Sequence, residues 1–295
     1  MRVLYLWNTA GALTPVADWL VENGHQAKIL MSSRYDVFGS TSMSRTARMV
    51  YSRGEYYKAM VSELLTYQPT HIHVNQSLQS LVLARLLHPR TPIVFQYHGV
   101  EVRYRDRVHH EMVLADKVIV STPDLERYGE WYDRPVDKMF YYRGGRIKKT
   151  ALMLYAPFFM KDLRKAAKEW CRERGIELRI LDREKGEGVP YRDMPEFLSK
   201  FEYYLDFKGY GDTRAISRLA VEALACGCRV VSDTDSNHVI ETYRFARPEM
   251  YFDLYHSMRR PSVSIRRELA VLVGLAKWAT RRLVVSSKNL PLIEK

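Results

Sequence analysis

One carboxylate, Glu222, stands in the apolar helical run Leu219-Ala-Val-Glu-Ala-Leu-Ala225, which stops at Gly227 and passes at once into a β-branched run over 228–232. A carboxylate in such surroundings is costly to bury unless something pairs with it. Two kinds of partner are open: Arg218, one helical turn earlier, or a ligand that brings hydroxyl groups. Arg214 and Arg218 place cations at the start of the same segment, and Ser217 lies in its loop-to-helix turn, where a backbone N–H can serve an anion. Lys161 follows the strand-like run 151–155 at the mouth of a predicted helix, and a cation beside a helix N-terminus suits a phosphate. In the first half, His98 closes the strand-like run 92–97 and is followed by Gly99, a position from which a rigid strand presents a side chain to a cleft. Gly11, in the loop after the first strand, allows close approach of the backbone to a ligand.

Other groupings carry less. Asp233-Thr-Asp235 is read as a turn. His71 and His73 alternate along a strand with no third ligand in view, and His109-His110 is isolated. Cys226-Gly-Cys228 has neither a zinc nor a thioredoxin spacing and is read as packing. No metal and no cofactor is expected.

Positioning the chemical residues requires alternating strands and helices. Residues 2–7 predict a strand, and Thr14 and Pro15 predict an N-cap and first helical position. Asn23-Gly24 ends that helix, and a strand over 28–31 completes a βαβ unit. Residues 32–54 read as a long loop. Helix 55–67, strand 71–74, helix 78–87, strand 92–97, a helix within 106–114 and strand 117–121 follow, with Ser121-Thr-Pro-Asp124 as a structural helix start. The segment around 139–149 is the expected connection. A second series runs from strand 151–155 through helix 161–174, strand 176–181, helix 194–201 and strand 203–207 to the Glu222 helix and strand 228–232. The polar loop 183–192 ends a strand and so should face the ligand crevice. Helix 264–284 predicts one apolar face of Ile265, Leu269, Leu272, Ala276, Ala279 and Leu283, with a basic outer face.

The chain has 295 residues, 46% hydrophobic and 27% charged, a globular composition with room for two domains. No apolar run approaches the roughly 18 residues that span a bilayer, and the start lacks the features of a signal peptide. Three cysteines fit a reducing compartment, so a cytoplasmic setting is expected. The net charge is +12, and residues 256–295 hold nine Lys/Arg against two Glu. That basic end favours an anionic partner, including peripheral contact with an anionic membrane at its inner face. No aromatic stacking signature accompanies it, so nucleic acid is not expected as a partner.

The Arg214–Asp233 block resembles the nucleotide-sugar site of GT-B glycosyltransferases, in particular the retaining family 4 group, whose "EALACG"-like helix carries a glutamate that holds the donor ribose. Glu222 matches that glutamate. Arg214 stands where the family has the first glutamate of its E-x7-E motif. Lys161 matches the family's donor-phosphate lysine, with Ala156 at the position of the companion arginine. His98-Gly-Val-Glu-Val-Arg103 resembles the family's "HG-x-D-x-R" segment, in which the histidine faces the donor sugar. The resemblance implies an α/β GT-B fold of two Rossmann-like, doubly wound parallel-sheet domains facing across a cleft. The domains would be an acceptor-side domain over 1–145 and a nucleotide-sugar domain over 146–262. A C-terminal amphipathic helix over 263–295 would pack back on the first domain. It further implies a hexosyltransferase-like enzyme that moves a sugar from a nucleotide-sugar to an unidentified acceptor with retention. His98 would be catalytic, Glu222, Lys161, Ser217, Arg214, Arg218 and Gly11 would bind the donor, and Glu101 and Arg103 would line the acceptor side. The alternatives are a non-catalytic nucleotide- or glycan-binding module of the same fold, a sugar epimerase, and a basic binder of lipid surfaces or nucleic acid.

Overall fold

Two separate sheets carry the chain. The computed structural model describes residues 1–8, 11–36, 39–99, 102, 113–141, 144–145, 147–155, 163–182, 185–207, 215–232 and 238–259, and beyond them 269, 271–273 and 276.

The first sheet starts in its own middle. From β1 (Arg2–Leu6) the chain steps outward to β2 (Gln26–Ser32) and β3 (Ala47–Val50). It then returns to the other side of β1 with β4 (His71–Asn75) and continues through β5 (Ile93–Tyr97), β6 (Lys117–Val120) and β7 (Glu130–Trp131). Every pairing is parallel. Parallel strands are covered on both faces and therefore read as apolar runs; β5 is buried at each of its positions. The helices α1 (Thr14–Glu22), α2 (Arg53–Tyr67) and α3 (Leu78–Leu87) belong to this half. A full capping box starts α2: Ser52 Oγ accepts from the Glu55 amide, and Glu55 accepts from the Ser52 amide. Arg85 of α3 is 2% exposed. It donates to the carbonyls of Leu114, His88, Pro89 and Thr91 and to Asp116 Oδ2 at 2.6 Å, tying the approaches to β5 and β6 together.

The second sheet contains β8 (Ile147–Tyr155), β9 (Glu177–Asp182), β10 (Phe201–Asp206), β11 (Arg229–Ser232) and β12 (Val239–Ile240), in the order β12-β11-β10-β8-β9. Only the β11–β12 pairing is antiparallel among the described strands. Helices α4 (Arg164–Arg174), α5 (Met194–Ser199) and α6 (Arg218–Ala225) accompany it. In each sheet the winding direction reverses once, between β1 and β4 and between β8 and β10. Loops at such switch points form the crevice in which open α/β sheets bind ligands.

The chain then crosses back. Helix α7 (Pro248–Ser257) places Tyr251, Leu254 and Tyr255 in one core with Val3, Tyr5, Leu13, Val16, Ile29 and Val94 of the first half. The return therefore begins inside 146–262 and not at 263. Its cause is polar as well as apolar. Tyr255 Oη lies 2.8 Å from His73 Nδ1, and Gln96 Nε2 donates to Tyr251 Oη at 3.3 Å, so the two tyrosines satisfy groups that the first sheet buries.

Farther on, Val271 joins the other core of the first domain, while Leu269 and Leu272 are 55% and 62% exposed. Of the expected apolar face, Leu269, Leu272 and Ala276 are exposed, and Ile265, Ala279 and Leu283 lie outside the described residues. Residues 269–276 are apolar nearly all round, and a helical wheel cannot choose among their sides. Three further expectations change. The supposed loop 32–54 contains the edge strand β3. Thr14 is the first helical residue and not a cap, because its hydroxyl accepts from Asn8 and donates to the Ser40 carbonyl. The helix expected from 161 begins at Arg164. Lys161, Arg214, Glu101, Arg103, Asp233, Asp235, His109, His110 and nearly all of the 106–114 helix lie outside the described residues.

Candidate functional site

In the first domain the switch-point loops bring Asn8, Gly11, Asn75 and His98 to one end of the sheet. Gly11 has a φ of +67°, and a Cβ there would sit 2.4 Å from Ser40 Oγ. Ser40 therefore accounts for this glycine, and the close approach expected of a ligand is made by the chain itself. Asn8 fixes the loop by donating to Thr14 and Thr41 and accepting from the Leu13 amide. His98 is half-buried between neighbouring strand ends. Its Nε2 lies 2.9 Å from Asn75 Oδ1, and its Nδ1 lies 2.8 Å from Ser121 Oγ. Asn75 Oδ1 can only accept, so Nε2 carries the proton and Ser121 donates to Nδ1. Burial pushes the imidazole pKa well below its ordinary value, and the positive charges of Arg134 and Arg218 push the same way. His98 is thus a neutral side chain with both nitrogens engaged. A ligand hydroxyl at this histidine would compete with Asn75 or Ser121.

In the second domain Glu222 is 4% exposed on α6. Its Oε1 accepts from Arg218 Nε at 2.7 Å and from Tyr191 Oη at 3.1 Å. Arg218 Nη2 donates to Tyr191 Oη at 2.6 Å, closing a triangle. The i,i+4 pair of Glu222 with Arg218 therefore exists, and it is buried and not on the helix surface. The hydrogen bonds of Glu222 among the described residues all go to Oε1, and Arg218 Nη1 is buried without a partner. Burial alone would lower the arginine's pKa, but Tyr191 and Glu222 raise it, so the guanidinium stays charged. Burial holds the Tyr191 phenol well above its usual range, so it stays protonated and donates.

Ser217 caps α6 by accepting from the Ala220 amide, and its own amide donates to Asp206 Oδ2 at 2.7 Å. The Ser217 N–H expected to serve a phosphate is thus committed within the protein. Asp206, at the end of β10, is the reason.

The two halves meet at the segment after β7. Arg134 lines a small crevice with Pro135, Val136, Arg218, Val221 and Glu222. Burial lowers the Arg134 pKa, and the like charge of Arg218 lowers it further. Beside it, Asp133 accepts from the Tyr243 hydroxyl and from the Arg134 amide. Pro135 and Ala246 form an isolated parallel bridge, so the outgoing and returning crossings run side by side. Arg134 and Arg218 both bear electrostatically on His98, and Glu222 bears on Arg134. Ends of both sheets thus converge on one polar junction.

No protein-family model matches the sequence, and no curated protein matches it. Solved structures do. An α-glucosyltransferase in complex with UDP and a 13-mer DNA with a central A:G mismatch is 14% identical with a TM-score of 0.55, over 80% of each chain. The same kind of enzyme, solved with UDP and a 13-mer DNA containing an HMU base, gives 0.52 at 14% identity over 79% of each chain. The fold is GT-B. A Listeria monocytogenes protein described as a UDP-N-acetylglucosamine 2-epimerase gives 0.50 at 12% identity over 78% of each chain.

Three residues of this GT-B junction escaped sequence reasoning. Tyr191 lies in the loop expected at the crevice, yet nothing singles out one tyrosine among 20. Ser121 was assigned to a helix start, whereas it orients His98. Arg134 lies in no motif; its neighbour Pro135 was the one available sign of a turn between lobes. Among the described residues no group of three or more His, Cys, Asp or Glu could hold a metal ion, and no helix is long and apolar enough to cross a membrane.

Proposed function

We propose that this GT-B protein binds a nucleotide-sugar at the junction around Glu222 and transfers its sugar to an acceptor held by the first domain. The observation that carries this reading is the state of Glu222. One carboxylate oxygen is fixed by Arg218 and Tyr191, and the other makes no hydrogen bond among the described residues. An acid so oriented is prepared for the hydroxyls of a ribose, as the resemblance to family 4 suggests. The loop carrying Tyr191 would border the base. Lys161 and Arg214, the cations that the sequence offers for the donor phosphates, would hold the diphosphate.

As the bond from sugar to phosphate lengthens, negative charge builds on the departing diphosphate. Fixed cations stabilise that charge without reorganising, and this is the largest electrostatic contribution available here. The reading needs neither metal nor prosthetic group. His98 supports it indirectly: it is neutral, cannot donate a proton from an imidazolium, and holds the ends of β4 and β6 at the required spacing. Glu101 and Arg103 would meet the acceptor, and retention at the anomeric carbon follows if the family 4 resemblance extends to mechanism.

Release of nucleoside diphosphate from nucleotide-sugars, followed with an acceptor panel, tests the proposal. The panel should contain oligosaccharides, a lipid-linked sugar in anionic vesicles, and duplex DNA, which accompanies UDP in two similar structures. Acceptor-dependent release supports transfer. A donor altered without any acceptor would favour the epimerase, and binding without turnover would favour the non-catalytic module.

A further inference from the structure

The junction sets two guanidiniums, Arg134 and Arg218, beside two carboxylates, Asp133 and Glu222, yet leaves guanidinium N–H groups without acceptors. Arg218 spends Nε on Glu222 and Nη2 on Tyr191, but Nη1 is buried with no partner. Arg134 is half-buried, and no hydrogen bond or ion pair of its guanidinium occurs among the described residues. Its neighbour Asp133 is already occupied by Tyr243 and by a backbone amide. The crevice between the two arginines is small, with room for about one water or one ligand oxygen. Two guanidiniums and one carboxylate therefore surround a space for a single oxygen. A guanidinium N–H withdrawn from water without an acceptor is costly, and charge-assisted forks to an oxyanion are what such a group does best.

We propose that Arg134 and Arg218 form a two-arginine clamp for one oxygen of an anionic ligand group, one arginine coming from the connection leaving the first sheet and the other from α6. This deepens the nucleotide-sugar reading and rests on it for the identity of the ligand. Two sources fit the chemistry: the donor diphosphate, or the carboxylate of an acidic sugar. Because each half of the protein contributes one arginine, the bound anion also ties the halves together. Like charges that repel each other in the empty protein then share a counter-ion.

The test uses the full chain and the variants Arg134→Gln and Arg134→Lys. Without ligand, Arg134→Gln should unfold at or above the wild-type temperature, since it removes a half-buried cation that burial and Arg218 both destabilise and whose guanidinium makes no hydrogen bond among the described residues. A clear fall would mean that Arg134 already has a partner and would overturn the proposal. Calorimetric titrations then compare a nucleoside diphosphate, its neutral-sugar conjugate and its uronate conjugate. The clamp predicts at least about a tenfold loss in Arg134→Gln, partly recovered in Arg134→Lys, as expected for a lost charge-assisted contact. Equal loss for all three ligands identifies the diphosphate, and loss for the uronate alone identifies the carboxylate. Unchanged affinity for all three sinks the clamp while leaving the donor site standing. If the wild type binds no nucleotide, inorganic pyrophosphate replaces it: stabilisation of wild type but not of Arg134→Gln supports the clamp on its own, and no difference between the two overturns it.

Discussion

Replacing Glu222 separates a structural carboxylate from a ligand-gripping one. In Glu222→Ala, Arg218 keeps only the Tyr191 hydroxyl and becomes a buried cation without a counter-charge. Breaking one partner of such a pair destabilises by about 3–5 kcal/mol. Glu222→Gln keeps an oxygen for Arg218 and Tyr191 and fills the same volume, so its loss should be smaller, about 1–2 kcal/mol. Binding answers a different question. If Oε2 accepts from a ribose hydroxyl, removing it forfeits one charge-assisted bond, about 1.5–3 kcal/mol, or about 10- to 150-fold in affinity. Titration of a nucleoside diphosphate and its 2′,3′-dideoxy analogue against wild type and both variants gives the coupling directly. The wild type should prefer the ribose form by at least about tenfold, with the preference gone in Glu222→Ala and reduced in Glu222→Gln. Equal affinity and an unchanged preference for ribose in a folded Glu222→Ala protein would refute the role of this carboxylate and leave it as a helix-packing pair.

Other positions give independent checks. Arg85→Ala strips Asp116 of its cation and three or more carbonyls of their donor, so a loss of about 3–5 kcal/mol is expected in urea denaturation. His73 is fully buried and its pKa is pushed down to about 3 by burial. The unfolded chain, with an ordinary value of about 6.5, therefore gains the proton first as pH falls, and stability present above pH 7 is lost below 6.5. This histidine alone accounts for about 1.3 kcal/mol of loss between pH 7 and 5.5, and the pH profile of the urea midpoint should be flatter by that amount in His73→Gln. Gly11→Ala forces a Cβ against Ser40 at positive φ; a loss of more than about 1 kcal/mol is expected, and thermal unfolding within error of wild type would contradict the packing assigned to Ser40.

How far the residues alone reach can be judged element by element. Most of the α/β alternation is readable because parallel strands such as β5 are uniformly apolar and the helices end at visible stops such as Gly175 and Gly227. Edge elements are not: β3 is short and half-exposed, and its Arg48 and Met49 carry no strand signature. The return of α7 was hidden for a related reason. Tyr251 and Tyr255 look like an ordinary amphipathic pair until their hydroxyls are seen against His73 and Gln96, contacts that span more than 150 residues. At the junction, Glu222 and Arg218 stand out because charge in an apolar run is costly and hence informative. The acceptor of the Ser217 amide, Asp206, sits at the end of β10, so no pattern around Ser217 shows it. His98 follows β5 directly, as the strand-like run 92–97 implies, but its two partners come from β4 and the end of β6, which no local pattern reveals.

The central claim is that the Glu222 junction is a nucleotide-sugar site, and a binding panel tests it most directly. Uridine, guanosine, adenosine and thymidine diphosphates would each be titrated while the unfolding temperature of the full chain is followed. A genuine ligand at 100 times its dissociation constant stabilises the fold by about 2.7 kcal/mol. The account predicts that one base does this clearly better than the rest, and that the stabilisation is lost in Glu222→Ala. No stabilisation by any of the four at millimolar concentration, or stabilisation that survives the substitution intact, would contradict it.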